Sequence, residues 1–166
     1  GSIVKRVHYG ADFQLNLNTK LGKTSFRAEY IAGELPGLGF RTFNSVPYSQ
    51  PVVPVYYRDF DGGNVNLSHQ FGKTKHQVIV KYDWYDPNKN LEGTEITGLN
   101  GTTSVDARFD TWGFGWLYHL DNNVKISVYY DMVKNEITKI SDTNPLKDFS
   151  KDIRDNVVTF RIQYKF

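Results

Sequence analysis

Apolar and polar residues alternate with a period of two along most of the chain. In VHYGADFQLNLN, Tyr9, Ala11, Phe13, Leu15 and Leu17 fall on one face and His8, Asp12, Gln14 and Asn16 on the other. TSFRAEYIAG sets Phe26, Ala28, Tyr30 and Ala32 against Arg27 and Glu29, and HQVIVKYDWYD sets Val78, Val80, Tyr82 and Trp84 against Gln77, Lys81 and Asp83. WGFGWLYHL, VKISVYYDM and DNVVTFRIQYKF repeat the scheme. Successive side chains on a strand point to opposite faces, so each segment predicts a strand with one greasy and one wet face. The stretch from Tyr56 to Gln70 is less regular, and its paired Gly62 and Gly63 predict a bulge or a close backbone approach. Helical spacing prevails nowhere over a useful length. The expected fold is all-β and antiparallel, with about seven strands.

The connections alternate in length. Those near Thr19–Lys23, Phe71–Lys75 and Asp121–Asn123 are short, whereas those near Glu34–Pro54, Pro87–Thr103 and Thr138–Ser150 are long and rich in Pro, Gly, Asn, Ser and Thr. Short turns on one side and long loops on the other, with aromatic-rich greasy faces, predict a transmembrane β-barrel. Seven strands would start the chain on the long-loop side, whereas bacterial single-chain barrels normally have an even number, with both ends on the short-turn side. The expectation is that residues 1–166 form a single β-barrel unit, the C-terminal part of a larger barrel of about 16 strands. Ile3 to Lys5 would then be the remnant of a further strand.

Composition sharpens this picture. Aromatic residues make up 15% of the chain, with eleven tyrosines, although mean hydropathy is −0.50; rings with one wet end collect at membrane–water interfaces. The net charge of +2 gives no footprint for nucleic acid. The absence of cysteine excludes thiolate chemistry and disulfides. No apolar run is long enough for a transmembrane helix, but a barrel strand needs only about 9–11 alternating residues. Gly1 to Arg6 has no apolar core of the kind a signal peptide carries.

Chemical motifs are weak. His8, His69, His76 and His119 lie in neither a GxSxG elbow nor an HExxH pair, so no catalytic residue and no enzyme is expected. His119, at the foot of a strand, is expected to be wet-facing or interfacial. Asp59-x-Asp61-Gly62 lacks the spaced ligands and closing Glu of a calcium loop. Gly113-Phe114-Gly115 sits inside a strand pattern with no helix to cradle a phosphate, and simply leaves room on the wet face. Neither a metal nor a cofactor is expected.

The terminal strand resembles the C-terminal signal read by the barrel-assembly machinery of Gram-negative bacteria, with Phe160, Ile162, Tyr164 and Phe166 in its alternate places. More specifically, RDFDGGNVNLSHQFGKTKHQVIVKYDWYDPN and DARFDTWGFGWLYHLDNNVKISVYYDMVKNEIT resemble the phosphate-selective porin O and P family in its Bacteroidetes form, over roughly Tyr56 to Phe166. The resemblance implies a bacterial outer-membrane location, contact with outer-membrane lipid and a commonly homotrimeric porin. It also implies passive diffusion of small hydrophilic or anionic solutes, phosphate among them, through a water-filled lumen lined in the best-known members by arginines and lysines. No such ladder matches here residue by residue. The charges expected to face the lumen are mixed, with Arg27, Lys81, Lys125, Arg161 and Lys165 beside Asp12, Glu29, Asp83 and Asp131. Two other readings stay open: a non-conducting barrel serving as a structural or partner subunit of an envelope complex, and a soluble lipocalin-like ligand-binding barrel, which reverses every orientation.

Overall fold

Each alternating segment forms a strand in the computed structural model, which describes residues 6–38, 41–42, 56–99 and 101–166. The strands are β1 (Val7–Thr19), β2 (Gly22–Leu38), β3 (Arg41–Thr42), β4 (Tyr56–Phe71), β5 (His76–Asp86), β6 (Phe109–His119), β7 (Val124–Asn135) and β8 (Val157–Tyr164). Seven of them pair antiparallel with their neighbours in the order β1-β2-β4-β5-β6-β7-β8, and the two-residue β3 pairs back on the end of β2. The sheet is open: β1 and β8 are its two edges and do not pair with each other. The expected all-β antiparallel architecture is present. The described residues contain no α-helix, only two 3-10 turns, at Gly93–Glu95 and Ser104–Asp106. None of their helices is long and apolar enough to cross a membrane.

The register makes all seven strands agree on which way is greasy. Phe13 faces Ala28, which faces Val65, Tyr82, Trp112 and Met132 in turn. One row nearer the short turns, Leu15, Phe26, Leu67, Val80, Phe114, Tyr130 and Val158 stand side by side. Directly opposed residues share a face, so each strand's apolar set joins its neighbour's, and a slip of one residue would break the match. The result is one continuous apolar face. It spans six strand spacings, about 29 Å, and the runs from Tyr9 to Leu17 and from Trp112 to Tyr118 extend it by about 20–27 Å along the strands. That is roughly 700 Å², more than the largest apolar patch of an ordinary soluble monomer. Trp112, Phe114, Trp116 and Phe160 are 45%, 44%, 41% and 64% exposed on it.

The packed interior lies elsewhere. Buried Arg58, Phe60, Ile96, Asp106, Ala107, Asn135, Thr138, Asp148 and Ile153 all gather at the long-connection end. There the segments between β5 and β6 and between β7 and β8 fold against each other. The Glu136 carboxylate accepts from the backbone N–H of Gly93 (2.7 Å) and Arg108 (3.1 Å), and Lys139 N–H donates to the Ile96 carbonyl (3.0 Å). The Asn135 amide accepts from Ile153 N–H (2.7 Å) and donates to the Lys151 carbonyl (3.2 Å).

Two expectations are corrected. Gly62 and Gly63 form no bulge, because the register runs unbroken from Asp61–Ala32 to Gly63–Tyr30; the close approach is real, since a Cβ on Gly63 would lie 2.6 Å from the Trp84 ring. The connection after β2 starts later than Glu34, as β2 continues to Leu38 opposite Tyr56 to Arg58. Pro36 pairs opposite Tyr57 of β4, and the described part of β1 pairs only up to Glu34. The two later connections are long, as expected, and form the folded layer just described. Ile3 to Lys5, and the connection from 43 to 55, lie outside the described residues.

The Asp148 carboxyl in this layer is held at about 2, first by the Lys151 ammonium 2.6 Å away and then by the Ser150 hydroxyl at 2.5 Å. A depressed folded-state value stabilises above the ordinary carboxylate range, and that contribution is lost as pH falls from about 4 towards 2. A carboxyl-carbon NMR titration should place the Asp148 midpoint well below its ordinary value of 3.8; a midpoint at the ordinary value would refute the pairing.

Candidate functional site

The polar face opposite the apolar one collects the charged residues singled out above. Arg27 and Lys81 share one row, Arg27–Asn66–Lys81–Gly113–Asp131, and Glu29 and Asp83 the next, Glu29–Asn64–Asp83–Thr111. Lys125 pairs opposite Gln163 and Arg161 opposite Ser127 on the same face. Lys165 lies just past β8, with its backbone N–H bonded to the Asn123 carbonyl at 2.8 Å. All nine charged residues expected to face the lumen, Asp12 opposite Glu29 among them, therefore lie on one side of the sheet or at its rim. An open groove of about 840 Å³ runs over the polar face of β1, β2, β4 and β5, where Asp12, Glu29, Asn64, Lys81 and Asp83 converge.

The charges segregate along the strands and not across the sheet. Asp12, Glu29 and Asp83 stand in one row towards the long connections, Arg27, Lys81 and Asp131 in the next, and Arg161, Lys125 and Lys165 towards the short turns. Lys81 is held between two acids, 3.1 Å from Asp131 and 3.7 Å from Asp83. Gly113 makes that reach possible: it lies between Lys81 and Asp131, and a Cβ there would meet Lys81 Cε at 2.2 Å and Asp131 Oδ1 at 2.6 Å. Gly115 leaves the same room for the Tyr129 ring, which is why the glycine spacing belongs to this face. Replacing Gly113 with Ala should displace the Lys81 side chain and cost about 1–3 kcal/mol by overpacking; equal unfolding midpoints for the two proteins would count against the bridge. Among the described residues Arg27, Lys125 and Arg161 form no ion pair. His119 hydrogen-bonds Gln77 at 3.0 Å on the polar face, a wet-facing position.

The apolar face ends in an aromatic band on each side. Towards the long connections Tyr30, Tyr82, Trp84 and Trp112 form a cluster, with ring centroids 4.8–6.4 Å apart. Their polar atoms point the same way: Tyr30 Oη (3.2 Å) and Trp84 Nε1 (3.3 Å) donate to Asp61, and Tyr82 Oη donates to Asp110, which the Arg108 guanidinium also grips at 2.8 and 3.0 Å. Towards the short turns His76 stacks on Trp116 at 5.8 Å and packs on Tyr118 at 5.1 Å, while His69 meets Phe71 edge-on at 4.9 Å. Between the bands the face is built from Leu15, Ala28, Val65, Leu67, Val80 and Phe114.

Phe160, Ile162 and Tyr164 project from β8 onto this face at 62–64% exposure, and Phe166, beyond the strand, packs on Tyr164 at 6.2 Å. Asp59 and Asp61 also fall on it, at its polar margin, where Asp59 accepts from Asn90 (2.7 Å). The described residues contain no group of three or more side chains placed to hold a metal.

Sequence reasoning missed Arg58 and Asp106. Arg58 Nε lies 2.5 Å from Asp106 Oδ1, and both side chains are 1% exposed or less. The same carboxylate accepts from Asn88 Nδ2 (2.9 Å) and Thr103 N–H (2.7 Å). The available signal was Thr103-Ser104-Val105-Asp106, a capping-box spacing in a stretch read only as loop. No family model, curated protein or solved structure matches the chain.

Proposed function

We propose that this chain forms part of the wall of an outer-membrane β-barrel porin, of the kind its sequence resembles, through which small hydrophilic or anionic solutes diffuse passively. The observation that carries this reading is the continuous apolar face bounded by two aromatic bands. An outer-membrane barrel presents such a band to lipid, with girdles at both interfaces and a polar interior. Tyr and Trp whose polar atoms reach outward to Asp61 and Asp110, above a belt of Leu, Val and Phe, match the step from headgroup to hydrocarbon.

The open edges then set a requirement. In hydrocarbon each unpaired backbone group costs several kcal/mol, so β1 and β8 need further strands to close the barrel. About sixteen in all would leave an aqueous channel, whereas about eight would be filled by side chains. The polar face becomes the lumen wall and the folded layer of long connections stands at one mouth. A solute crossing along this wall meets Asp12, Glu29 and Asp83, then Arg27 beside a Lys81 already neutralised, and then Arg161, Lys125 and Lys165. Such a wall favours general hydrophilic passage over a sustained anion path, so phosphate selectivity rests on strands outside this sheet.

Planar-bilayer recording of the whole protein, extracted from its native membrane, should give stepwise ion conductance. Insertion with no conductance would replace the porin with the non-conducting envelope barrel. A protein that stays dispersed without detergent would favour the soluble ligand-binding barrel.

A further inference from the structure

The short-turn end of the sheet carries a charge pattern that solute diffusion does not use. The turn between β1 and β2 and the turn between β4 and β5 are joined into one unit, because Gly72 N–H donates to the Leu21 carbonyl at 2.7 Å. Gly22, with φ +143°, brings the two together: a Cβ there would fall 1.9 Å from the Gln70 carbonyl oxygen. This double turn holds Lys20, Lys23, Lys73 and Lys75 and no acid. Among the described residues Lys20, Lys23 and Lys73 have no ion-pair partner, and Lys75 Nζ donates only to the Leu120 carbonyl at 2.6 Å.

Beside the lysines stand exposed apolar side chains. Leu21 is 79% exposed at the tip, and Phe71 is 44% exposed at the end of the apolar face. The neighbouring turn, Asp121–Asn123, has the one acid of this end. Asp121 is committed to its own turn, accepting from Asn123 N–H (2.7 Å) and Val124 N–H (2.8 Å).

We propose that this double turn is a binding site for the phosphate headgroups of anionic phospholipid in the leaflet on the short-turn side. The inference rests on the membrane reading above and adds the lipid class. Lys23, opposite Gln70, lies on the polar face, but the uncompensated ammonium groups of Lys20 and Lys73, in the turns at the level where the apolar face ends, meet headgroup phosphates, while Leu21 and Phe71 enter the acyl boundary beneath them. A free solute phosphate would have no use for the apolar pair. Each lysine close to an anionic lipid surface favours association about fivefold, so Lys20 and Lys73 together contribute about 25-fold, less as salt screens them.

The test places the whole protein in phosphatidylcholine bilayers containing a minor fraction of phosphatidylglycerol and counts retained lipids by native mass spectrometry. The wild type should hold phosphatidylglycerol over phosphatidylcholine by about tenfold or more. The double variant Lys20→Gln, Lys73→Gln should bring that ratio near one, while the corresponding double Arg variant keeps it, separating charge from folding. Excess inorganic phosphate should leave the ratio unchanged; displacement by it would assign the lysines to free phosphate and overturn the proposal. So would equal retention of the two lipids by the wild type, or an undiminished ratio in the Gln variant. Failure of the wild type to insert into either bilayer sinks the membrane reading and this site together, whereas insertion without lipid preference sinks only the site.

Discussion

Asp106→Ala should loosen the whole layer of long connections, at a cost of about 3–5 kcal/mol, the range for removing one partner of a buried ion pair. The size follows from burial. Arg58 and Asp106 are 1% exposed or less, so the substitution leaves a guanidinium inside the protein without the carboxylate it faces at 2.5 Å. It also strands the Asn88 amide and the Thr103 N–H, which both donate to that carboxylate. Arg58 sits on β4, whereas Asn88, Thr103 and Asp106 belong to the segment between β5 and β6, so one carboxylate fastens that segment to the sheet. Hydrogen exchange should speed up at Thr103 and Asp106, and proteolysis should begin within residues 87–108, with the strands still protected. A double replacement by apolar residues of similar volume, Arg58→Met with Asp106→Leu, should recover most of the loss, because it removes both charges at once. Unchanged protection in Asp106→Ala would show that the pair does not hold the layer.

That pair also marks where the sequence stops being legible. The strands could be read because alternation is local. His76–Asp86 appears in the structure with the bounds its pattern predicts, and the nine charges assigned to the wet face lie there or at its rim, since a period of two fixes each side chain's face without knowledge of its neighbours. The reach of Lys81 across Gly113 to Asp131 was half visible: the glycines announced space, but what fills it depends on the register of β5, β6 and β7. The partnership of Arg58 with Asp106 was invisible, because it joins residues 48 apart through a segment with no period at all. Likewise Pro36 contradicts strand propensity, yet it lies within β2, opposite Tyr57 of β4, a placement that only the register with β4 reveals.

Phe114→Lys and Arg161→Glu should separate the two faces of the sheet. Phe114 lies in the row midway between the aromatic bands, flanked by Val80 on β5 and Tyr130 on β7, and is 44% exposed on the apolar face. On the proposed insertion that exposure is to hydrocarbon. A lysine at the bilayer midplane of a barrel costs about 2–4 kcal/mol, and Phe114 stands in that middle row, with Trp112 of one band and Trp116 of the other one row to either side. Folding into lipid vesicles should therefore weaken by that amount, read from denaturant titrations of the folded, heat-modifiable form. Arg161 stands on the opposite face beside Ser127, exposed and without an ion pair among the described residues. Its reversal to Glu exchanges one wet charge for another, so insertion should stay within about 0.5 kcal/mol of wild type. The effect should appear instead in the zero-current potential under a salt gradient, shifted towards cations, because Arg161 contributes to the basic end of the wall. A soluble barrel inverts the pattern, since its aromatic face would be the packed interior: Phe114→Lys would then abolish folding in water as well as in lipid, and Arg161→Glu would change nothing. Equal losses of insertion from both substitutions would contradict either orientation.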